Sequence, residues 1–385
     1  MNLAEPIIYD AAVIGSGPAG STAAAELARR GRSVLLLEKA LLPRYKTCGG
    51  GILGRAFPML PASAASIVES SFNTVQLHFH GDNLHFTASH DKPLVRMTMR
   101  ADLDQLLATE AKNLGARLLD GCAVNQIIPR PDLVELATNQ GTFQARFVIA
   151  ADGAQSLTAK TCGWAPLPRL APAIEWELHL PPETFARFQA IARFDFGFIE
   201  AGYAWIFPKR NHLSVGILTT GRSNVNLAAR LEEYLRSLGI TQWDRVEKHG
   251  YVIPLEPRRE SLARGRVLLT GDAAGLVDPI TAEGISYALW SGRLAAEAIA
   301  EGPPDPARVT RRYQELLETH ILGDLRAGRW LANFVYHHPR LRHWAFRLQG
   351  PRLTQFAARV VMGERGYQKA LKNPLSYLKL LGLNF

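Results

Sequence analysis

A glycine-rich turn between a strand and a helix restricts the fold of this chain more than any other segment. Residues 7–14 are apolar and partly β-branched, as in a strand buried within a parallel sheet. They run into the turn Gly15-Ser16-Gly17-Pro18-Ala19-Gly20, after which residues 23–28 place alanine and leucine on one helical face. A second apolar strand follows at residues 33–37. This order predicts a βαβ unit and hence an α/β fold.

Three glycines of this turn have the spacing of a phosphate-binding turn. Gly15 permits the tight turn, Gly17 lets the backbone approach a pyrophosphate, and Gly20 lets the helix pack closely on the strand. Glu38 ends the second strand, 18 residues after Gly20, where its carboxylate can accept hydrogen bonds from ribose hydroxyls. Because its negative charge disfavours a 2′-phosphate, the pattern favours FAD or NAD over NADP as the bound nucleotide.

The composition sets the class of protein and its compartment. The chain has 385 residues, of which 47% are hydrophobic and 21% charged, as expected of a globular protein with a large core. No apolar run reaches the roughly 18 residues that span a bilayer, and the first residues do not resemble a secretory signal. Three cysteines in a chain of this length indicate a reducing compartment. We therefore expect a cytoplasmic protein.

The basic charge is concentrated at the end of the chain. Residues 326–385 contain eight arginines, three lysines and one acidic residue, a net charge of +10, whereas the first 325 residues carry −1. The same segment holds nine of the 33 aromatic residues. Such a region could contact an anionic membrane surface or an anionic substrate. It could equally be a helical cap with solvated arginines, and the pattern leaves both interpretations open. Nucleic-acid binding is not expected, because the basic residues belong to no recognisable nucleic-acid-binding module.

Two later strands also end in turns that contain glycine and aspartate. The strand at 146–151 runs into Asp152-Gly153, and the strand at 266–270 runs into Gly271-Asp272-Ala273-Ala274-Gly275. Together with the first turn, these segments resemble the three nucleotide motifs of flavoprotein hydroxylases and their relatives. In that superfamily the last aspartate, here Asp272, approaches the ribityl chain of FAD. Arg100 matches an arginine that these flavoproteins place near the cofactor.

Three further stretches narrow the resemblance to the geranylgeranyl reductase family. Residues 43–51 (PRYKTCGGG) resemble its RxKxCGG segment, residues 203–209 (YAWIFPK) its YxWxFPK motif, and residues 278–285 (DPITAEGI) its DPxxGEGI motif. The resemblance runs from about residue 8 to residue 300. Ala282 stands where the family usually has glycine. We expect its methyl group to alter the packing or the local turn.

The resemblance implies a mixed α/β fold with a Rossmann-like FAD-binding domain. That domain is discontinuous (1–73, 98–165 and 258–300), with an inserted antiparallel-sheet substrate domain (74–97 and 166–257) and a basic helical C-terminal region (301–385). The residues expected to bind FAD are Gly15, Gly17, Ala19, Gly20, Glu38, Lys39, Cys48, Gly49, Gly51, Arg100, Val124, Asp152, Asp272, Gly284 and Ile285.

The implied activity is reduction of carbon–carbon double bonds in an isoprenoid chain, by hydride from reduced flavin, with electrons from NAD(P)H or ferredoxin. Tyr203, Trp205 and Cys48 are the expected catalytic residues. The two aromatic residues either form an apolar wall over the flavin or belong to a plain sheet core. Cys48 either donates the proton or packs near the flavin. Arg44 and Lys46 either bind a phosphate or the nicotinamide donor, or only line their loop.

Two alternative functions remain open from the sequence. A monooxygenase or halogenase acting on an apolar substrate would share the fold and the FAD motifs, although the halogenase signature WxWxIP is absent. A flavin-loaded protein that binds membranes without turnover is the other alternative. No metal site is predicted, because the four histidines between residues 78 and 90 lack suitably spaced carboxylates or thiolates.

Overall fold

A computed structural model describes residues 7–81, 83–221 and 225–372. The strands, in chain order, are β1 (Ile8–Ile14), β2 (Val34–Leu37), β3 (Gly51–Leu53), β4 (Ser70–Phe72), β5 (Thr74–Phe79), β6 (Leu84–Ser89), β7 (Val95–Met97), β8 (Arg117–Leu119), β9 (Val124–Pro129), β10 (Val134–Thr138), β11 (Gly141–Ala150), β12 (Leu170–His179), β13 (Ala192–Phe196), β14 (Gly202–Pro208), β15 (Leu213–Thr219), β16 (Arg245–Pro254), β17 (Ala263–Arg264) and β18 (Val267–Leu269).

The helices, in chain order, are α1 (Pro18–Arg29), α2 (Arg100–Asn113), α3 (Leu157–Thr161), α4 (Pro182–Ala186), α5 (Leu227–Ser237), α6 (Gly271–Ala274), α7 (Ile285–Ala300), α8 (Pro306–Leu317), α9 (Gly323–His337), α10 (Pro339–Val361) and α11 (Tyr367–Lys372). A π-helical turn, Glu318–Leu322, joins α8 to α9. Short 3-10 turns lie at Phe57–Met59 and Ala62–Ile67.

The first sheet confirms the Rossmann-like fold. Its strand order is β17-β18-β11-β1-β2-β8, and β18, β11, β1, β2 and β8 run parallel to one another. All four residues of β2 are buried, as expected of a strand covered on both faces. The carboxyl ends of β1, β2 and β11 meet at one edge, where ligands of open α/β sheets bind. The glycine turn, Glu38 and Asp152 therefore lie together.

The second sheet has the strand order β16-β12-β15-β14-β13-β5-β6 and includes the predicted β5–β6 hairpin. It is antiparallel as predicted, except that β13 pairs with β5 in parallel, with Ala192 opposite Val75. This parallel pair joins two separate segments of the chain. A small third sheet, β3-β7-β4, was not predicted, since each of its strands has only three residues. The predicted domain boundaries stay a proposal.

Helices α9 and α10 of the basic region pack on the second sheet. Gly350 of α10 lies so close to Phe86 that a Cβ atom there would be 2.0 Å from the ring. Helix α10 is kinked at Gln349, whose φ of −131° is not helical, because Pro351 follows and cannot donate a backbone hydrogen bond. None of the helices in the described ranges is long and apolar enough to span a membrane. Residues 373–385 of the predicted basic region lie outside the described residues.

Candidate active site

The glycine turn has the geometry that its sequence predicts. Gly15 has a φ of +97°, and a Cβ atom on Gly20 would lie 1.8 Å from the carbonyl oxygen of Gly15. Larger residues are therefore excluded at both positions. Gly17 is the N-cap of α1 and has no side chain that could accept a hydrogen bond from the helix. The first backbone N–H groups of α1 are therefore not capped by a side chain. A Cβ atom on Gly17 would meet nothing closer than Arg100 Nη2, at 3.8 Å.

A cavity of about 1070 Å³ opens beside this turn. Its volume is at the upper end of the range for ligand pockets, roughly 300–1,000 Å³. It is lined by all the residues predicted for the site except Gly20, namely Gly15, Gly17, Ala19, Glu38, Lys39, Cys48, Gly49, Gly51, Arg100, Val124, Asp152, Tyr203, Trp205, Asp272, Gly284 and Ile285. Gly20 instead packs against Gly15, as the spacing predicts.

A chain of ion pairs organises the polar side of the cavity. Arg44 bridges Glu38 (Nη2 to Oε2, 3.1 Å) and Asp104 (Nη1 to Oδ2, 2.9 Å). Arg100 donates to both oxygens of Asp104, at 2.9 and 3.0 Å. Arg44 thus supports Glu38 and Asp104 while it also lines the cavity. Sequence reasoning missed Asp104, although its position four residues after Arg100 on one helix was a usable signal.

Glu38 is held as a carboxylate at the end of β2. Its Oε2 accepts hydrogen bonds from the backbone N–H and the hydroxyl of Ser16, at 3.0 and 2.9 Å, as well as from Arg44. Burial raises the pKa of Glu38, but the charge of Arg44 and these hydrogen bonds outweigh burial and lower the pKa below its ordinary value. Its other oxygen, Oε1, accepts from the backbone of Ala40 at 3.1 Å.

The loop that contains Cys48 (residues 43–51, the cysteine loop) packs closely against the aromatic strand β14. A Cβ atom on Gly49 would lie 2.7 Å from the ring of Phe207, and Gly50 has a φ of +69° with its Cβ position 2.0 Å from the carbonyl oxygen of Thr98. Cys48 is half-buried, and its backbone N–H donates to Glu175 Oε2 at 2.8 Å. The glycines after Cys48 are therefore required by close packing.

The side chains of β14 alternate between its two faces, as the sequence pattern predicts. Tyr203, Trp205 and Phe207 line the cavity, whereas Ala204 and Ile206 pack in the core on the opposite face. The Tyr203 hydroxyl donates to the carbonyl oxygen of Thr281 at 2.5 Å, and burial raises the pKa of Tyr203. This hydrogen bond therefore holds the loop that precedes α7 against β14.

Trp205 contributes a polar atom to the cavity wall. Its indole packs on Gly216, where a Cβ atom would lie 2.1 Å from the ring. The indole Nε1 is buried and has no hydrogen-bond partner among the described residues. It faces Gly49, at 3.2 Å from the Cβ position there. A buried donor of this kind is satisfied by a ligand with an acceptor atom.

The two predicted aspartates differ in their surroundings. Asp152 accepts hydrogen bonds from the side chains of Ser156 and Thr158, at 2.6 and 2.9 Å, and so shapes its own turn. Asp272 lies in the first turn of α6, where burial raises its pKa against the opposing charges of Lys46 and Arg100. Lys46 Nζ lies 3.5 Å from the centre of the Tyr251 ring, a cation–π contact at the cavity wall.

The loop before α7 is tied to the C-terminal helices. Arg55 Nη2 lies 3.2 Å from Asp278 and 3.0 Å from Glu283, and the Tyr367 hydroxyl donates to Asp278 at 3.1 Å. Ala282 in this loop has a φ of +56°, in the left-handed region that favours glycine. Ala282 thus holds a strained backbone conformation at the cavity wall, and the expectation that its methyl group alters the packing or the local turn stays a prediction.

We expect Ala282→Gly to raise the free energy of unfolding by about 0.5–1 kcal/mol. The left-handed conformation costs an L-residue about 1–2 kcal/mol, only part of which is offset by the greater unfolded-state entropy of glycine. Urea denaturation measures the change. The matched control is Ala298→Gly, which removes a methyl group inside α7 and should lower stability by about 1 kcal/mol or more. A loss of stability in both variants would show that Ala282 is not strained.

Glu175 is an acidic residue of the cavity that sequence reasoning missed. Its side chain is buried, its Oε1 accepts a hydrogen bond from the Ser214 hydroxyl, and burial together with the charge of Glu177 raises its pKa to about 7. The alternation of Glu175 and Glu177 around Trp176 in a strand was the available signal. Within the described ranges, this site included, no group of three or more His, Cys, Asp or Glu is arranged to hold a metal ion.

Comparison with known proteins identifies the family. Residues 9–178 match the FAD binding domain family. The chain is 31% identical to digeranylgeranylglycerophospholipid reductase 2 of Methanothermobacter thermautotrophicus, over 80% of this chain and 82% of that protein. The chain belongs to the geranylgeranyl reductase family. It is an FAD-dependent oxidoreductase, as the sequence motifs predict.

One further relative and two solved structures extend the comparison. The menaquinone reductase of Mycolicibacterium smegmatis is 30% identical over 84% of this chain and 83% of that protein. A geranylgeranyl bacteriochlorophyll reductase-like protein of Thermoplasma acidophilum superposes with a TM-score of 0.75 at 21% identity, over 97% of this chain and 96% of that one. A flavin-dependent brominase superposes with a TM-score of 0.72 at 20% identity, over 97% and 99%. Both structures share the fold.

The residues present fit the FAD of the geranylgeranyl reductase family. The open backbone at Gly17 and the uncapped start of α1 suit a pyrophosphate. Glu38 lines the cavity beside this turn, and the buried Trp205 Nε1, which has no partner among the described residues, could donate a hydrogen bond to a polar ring edge. These residues, with Arg100 and Asp272, would hold the cofactor.

Proposed function

We propose that this protein saturates carbon–carbon double bonds in a prenyl chain of the geranylgeranyl type. The observation that carries the proposal is one continuous cavity with two chemically different ends. The polar end contains the glycine turn, Glu38 and Arg100. The other end lies between the second sheet and helices α9 and α10, where the lining is apolar: Leu77, Phe79, Phe194, Phe334, Phe346, Leu353 and Phe356. A dinucleotide and a long hydrocarbon chain would therefore meet inside one cavity.

The protein side chains account for the remaining needs of the reaction. Bound FAD, once reduced, supplies the hydride that one alkene carbon receives. An isolated alkene accepts hydride poorly, so it must be held in place and kept from water. The rings of Trp205 and Phe207 form a wall against the cysteine loop that does both. In this proposal, the Cys48 thiol holds the proton that the second carbon receives.

The substrate and the electron donor are tested with reduced holoenzyme under anaerobic conditions. Geranylgeranyl diphosphate, a geranylgeranylated phospholipid, menaquinone and a chlorophyllide ester are offered in turn. Mass spectrometry should show a gain of two hydrogens per double bond, with reoxidation of the flavin. Reduction of the flavin by NADH, NADPH or ferredoxin is followed by its absorbance to identify the donor.

The alternatives from the sequence give different results in the same experiment. Oxygen consumption with a hydroxylated or halogenated product would favour the monooxygenase or halogenase function. A flavin that none of the prenyl compounds reoxidises, in a protein that consumes no oxygen, would favour a binding protein without turnover.

We further propose that the mouth of the cavity rests on an anionic membrane surface. Trp330, Leu341, Trp344 and Leu348 of α9 and α10 are among the large apolar side chains that are exposed, each by more than half. Trp330 and Leu348 also line the cavity, so the apolar patch surrounds its opening. Arg340 and Arg347 are exposed on α10. Lys, Arg and Trp beside apolar side chains suit the interface of an anionic bilayer.

We expect Leu341→Ser/Trp344→Ser to weaken binding to vesicles of phosphatidylserine and phosphatidylcholine by at least about tenfold. Neither residue lines the cavity, and each loses about 1–2 kcal/mol of apolar transfer free energy. Co-sedimentation at low and high salt measures the binding. The control Leu41→Ser changes a more exposed leucine, which follows β2 and lies outside α9 and α10, and should leave binding unchanged. Equal binding of both variants and the unchanged protein would contradict the proposal.

A further inference from the structure

Glu175 connects the cysteine loop to a row of polar side chains in the second sheet. Its Oε2 accepts the hydrogen bond of the Cys48 backbone N–H at 2.8 Å, and the carboxyl group lines the same cavity as Cys48. Its Oε1 accepts from the Ser214 hydroxyl. Glu175 is only 1% exposed, although it lies on a strand whose next residue, Trp176, is in the apolar core on the other face. A buried carboxyl group in this position needs a reason beyond packing.

The row continues from Glu175 toward the protein surface. Ser214 of β15 lies opposite Glu177 of β12 in the sheet register and donates its hydroxyl to Glu175 Oε1. Glu177 Oε2 lies 2.8 Å from His212 Nε2 but forms no hydrogen bond of good geometry among the described residues. The His212 ring stacks on the ring of His179, with 5.0 Å between their centres, and His179 is only half-buried. The row therefore places groups that can each carry a proton between the cavity and the partly exposed His179.

We propose that Glu175 is the proton reservoir of the cavity and that Ser214, Glu177, His212 and His179 refill it from solvent. The inference rests on the proposed function. For each bond reduced, one carbon gains the hydride and the other gains the Cys48 thiol proton. Glu175 then returns a proton to the Cys48 thiolate and itself regains one along the row. Each bond reduced takes up two electrons from the external donor and two protons, one of them within the hydride and the other through Cys48. Glu175 acts through Cys48 and is a positioning residue.

The environment of Glu175 sets the pH at which the reservoir is full. Burial and the charge of Glu177 raise the pKa of Glu175 to about 7, against the opposing effects of Ser214, Lys209 and the Cys48 N–H. The groups that face it from the neighbouring elements are Tyr45 and Cys48 in the loop, Lys209 after β14, Ser214 in β15, and Glu247 and His249 in β16. Glu175 is protonated below about pH 7 and becomes a carboxylate above it. Turnover should therefore fall as the pH rises through about 7.

The test combines turnover with the chemical reactivity of Cys48. In the holoenzyme, the rate of Cys48 alkylation by iodoacetamide, read by peptide mass spectrometry, should rise with pH in two steps. The interruption is expected near pH 7 because Glu175, which accepts the hydrogen bond of the Cys48 backbone N–H, becomes a carboxylate there. Glu175→Gln should give one smooth rise, and its turnover should drop at least tenfold and lose its dependence on pH near 7. Glu175→Asp should restore part of both. Glu183→Gln, which changes an exposed glutamate in the first turn of α4, should keep both profiles.

The outcomes separate this inference from the proposed function. Identical alkylation curves for the unchanged protein and Glu175→Gln would overturn it, as would equal turnover with the same pH profile. If Glu175→Gln does not retain FAD, the Glu175→Asp variant decides: a single-step alkylation curve there would overturn the reservoir. A third outcome is that no prenyl compound is reduced, while Cys48 alkylation rises in two steps in the unchanged protein and in one step in Glu175→Gln. The proposed function would then fail, but the coupling of Glu175 to Cys48 would be supported.

Discussion

Replacing Cys48 by serine should lower prenyl reduction by about a hundredfold or more while the protein keeps its FAD. Loss of a positioned proton donor costs typically 10²–10⁴-fold in rate. A serine hydroxyl releases its proton far less readily than a thiol but has nearly the same shape. Serine therefore fits between the Glu175 contact and the tightly packed Gly49, and neither the loop nor the cavity should change. Turnover under single-turnover conditions and the flavin absorbance per protein measure the two effects.

Cys162→Ser is the matched control for this variant. Cys162 is also half-buried but follows helix α3, away from the cavity lining. Its replacement should leave turnover within about twofold, as for surface substitutions generally. In deuterated water, the unchanged protein should place one deuterium on the carbon that receives the proton. Unchanged turnover of Cys48→Ser would show that Cys48 only packs near the cofactor.

Asp104→Asn should lower the free energy of unfolding by about 3 kcal/mol. Asp104 is fully buried and accepts three hydrogen bonds from two arginines, Arg44 and Arg100. Removing one partner of a buried ion pair costs about 3–5 kcal/mol, because the remaining charges lose their compensation. The lower end applies here, since both arginines also line the cavity and can reach water. Urea denaturation of the apoprotein measures the change.

Asp102→Asn provides the comparison on the same helix. Asp102 is exposed in the first turn of α2, two residues before Asp104. Its loss should cost no more than about 0.5–1 kcal/mol, the contribution of a carboxylate near a helix N-terminus. If the two variants are equally stable, Asp104 does not stabilise the arginine pair. The double variant Arg44→Met/Asp104→Asn then reports their coupling directly.

The parts of the site that were predicted lie close together along the chain. Gly15, Gly17, Gly20 and Glu38 belong to one βαβ unit, whose strand–turn–helix geometry is local and therefore readable from spacing. The alternation of Tyr203, Trp205 and Phe207 was equally informative, because a strand separates its two faces with a period of two. The resemblance to a reductase family added the identity of the cofactor.

The parts that were missed depend on contacts between distant segments. Asp104 meets Arg44 across 60 residues, and Glu175 meets Cys48 across 127. The Tyr203 hydroxyl donates to the carbonyl oxygen of Thr281 across 78 residues. No local pattern predicts such pairs, because they form only when separate sheets and loops pack together. Burial then decides the charge state, as the raised pKa of Glu175 shows.

Short motifs with fixed local geometry were enough to predict the nucleotide fold, the cofactor class and the family. The place of the basic C-terminal region in the fold depends instead on tertiary packing. Helices α9 and α10 line the apolar end of the cavity with their inner side chains, expose Trp330 and Leu348 at its mouth, and leave arginines such as Arg340 and Arg347 exposed on the outside. The reason is physical: a helix acquires an inner and an outer face only when another surface, here the second sheet, covers one of them.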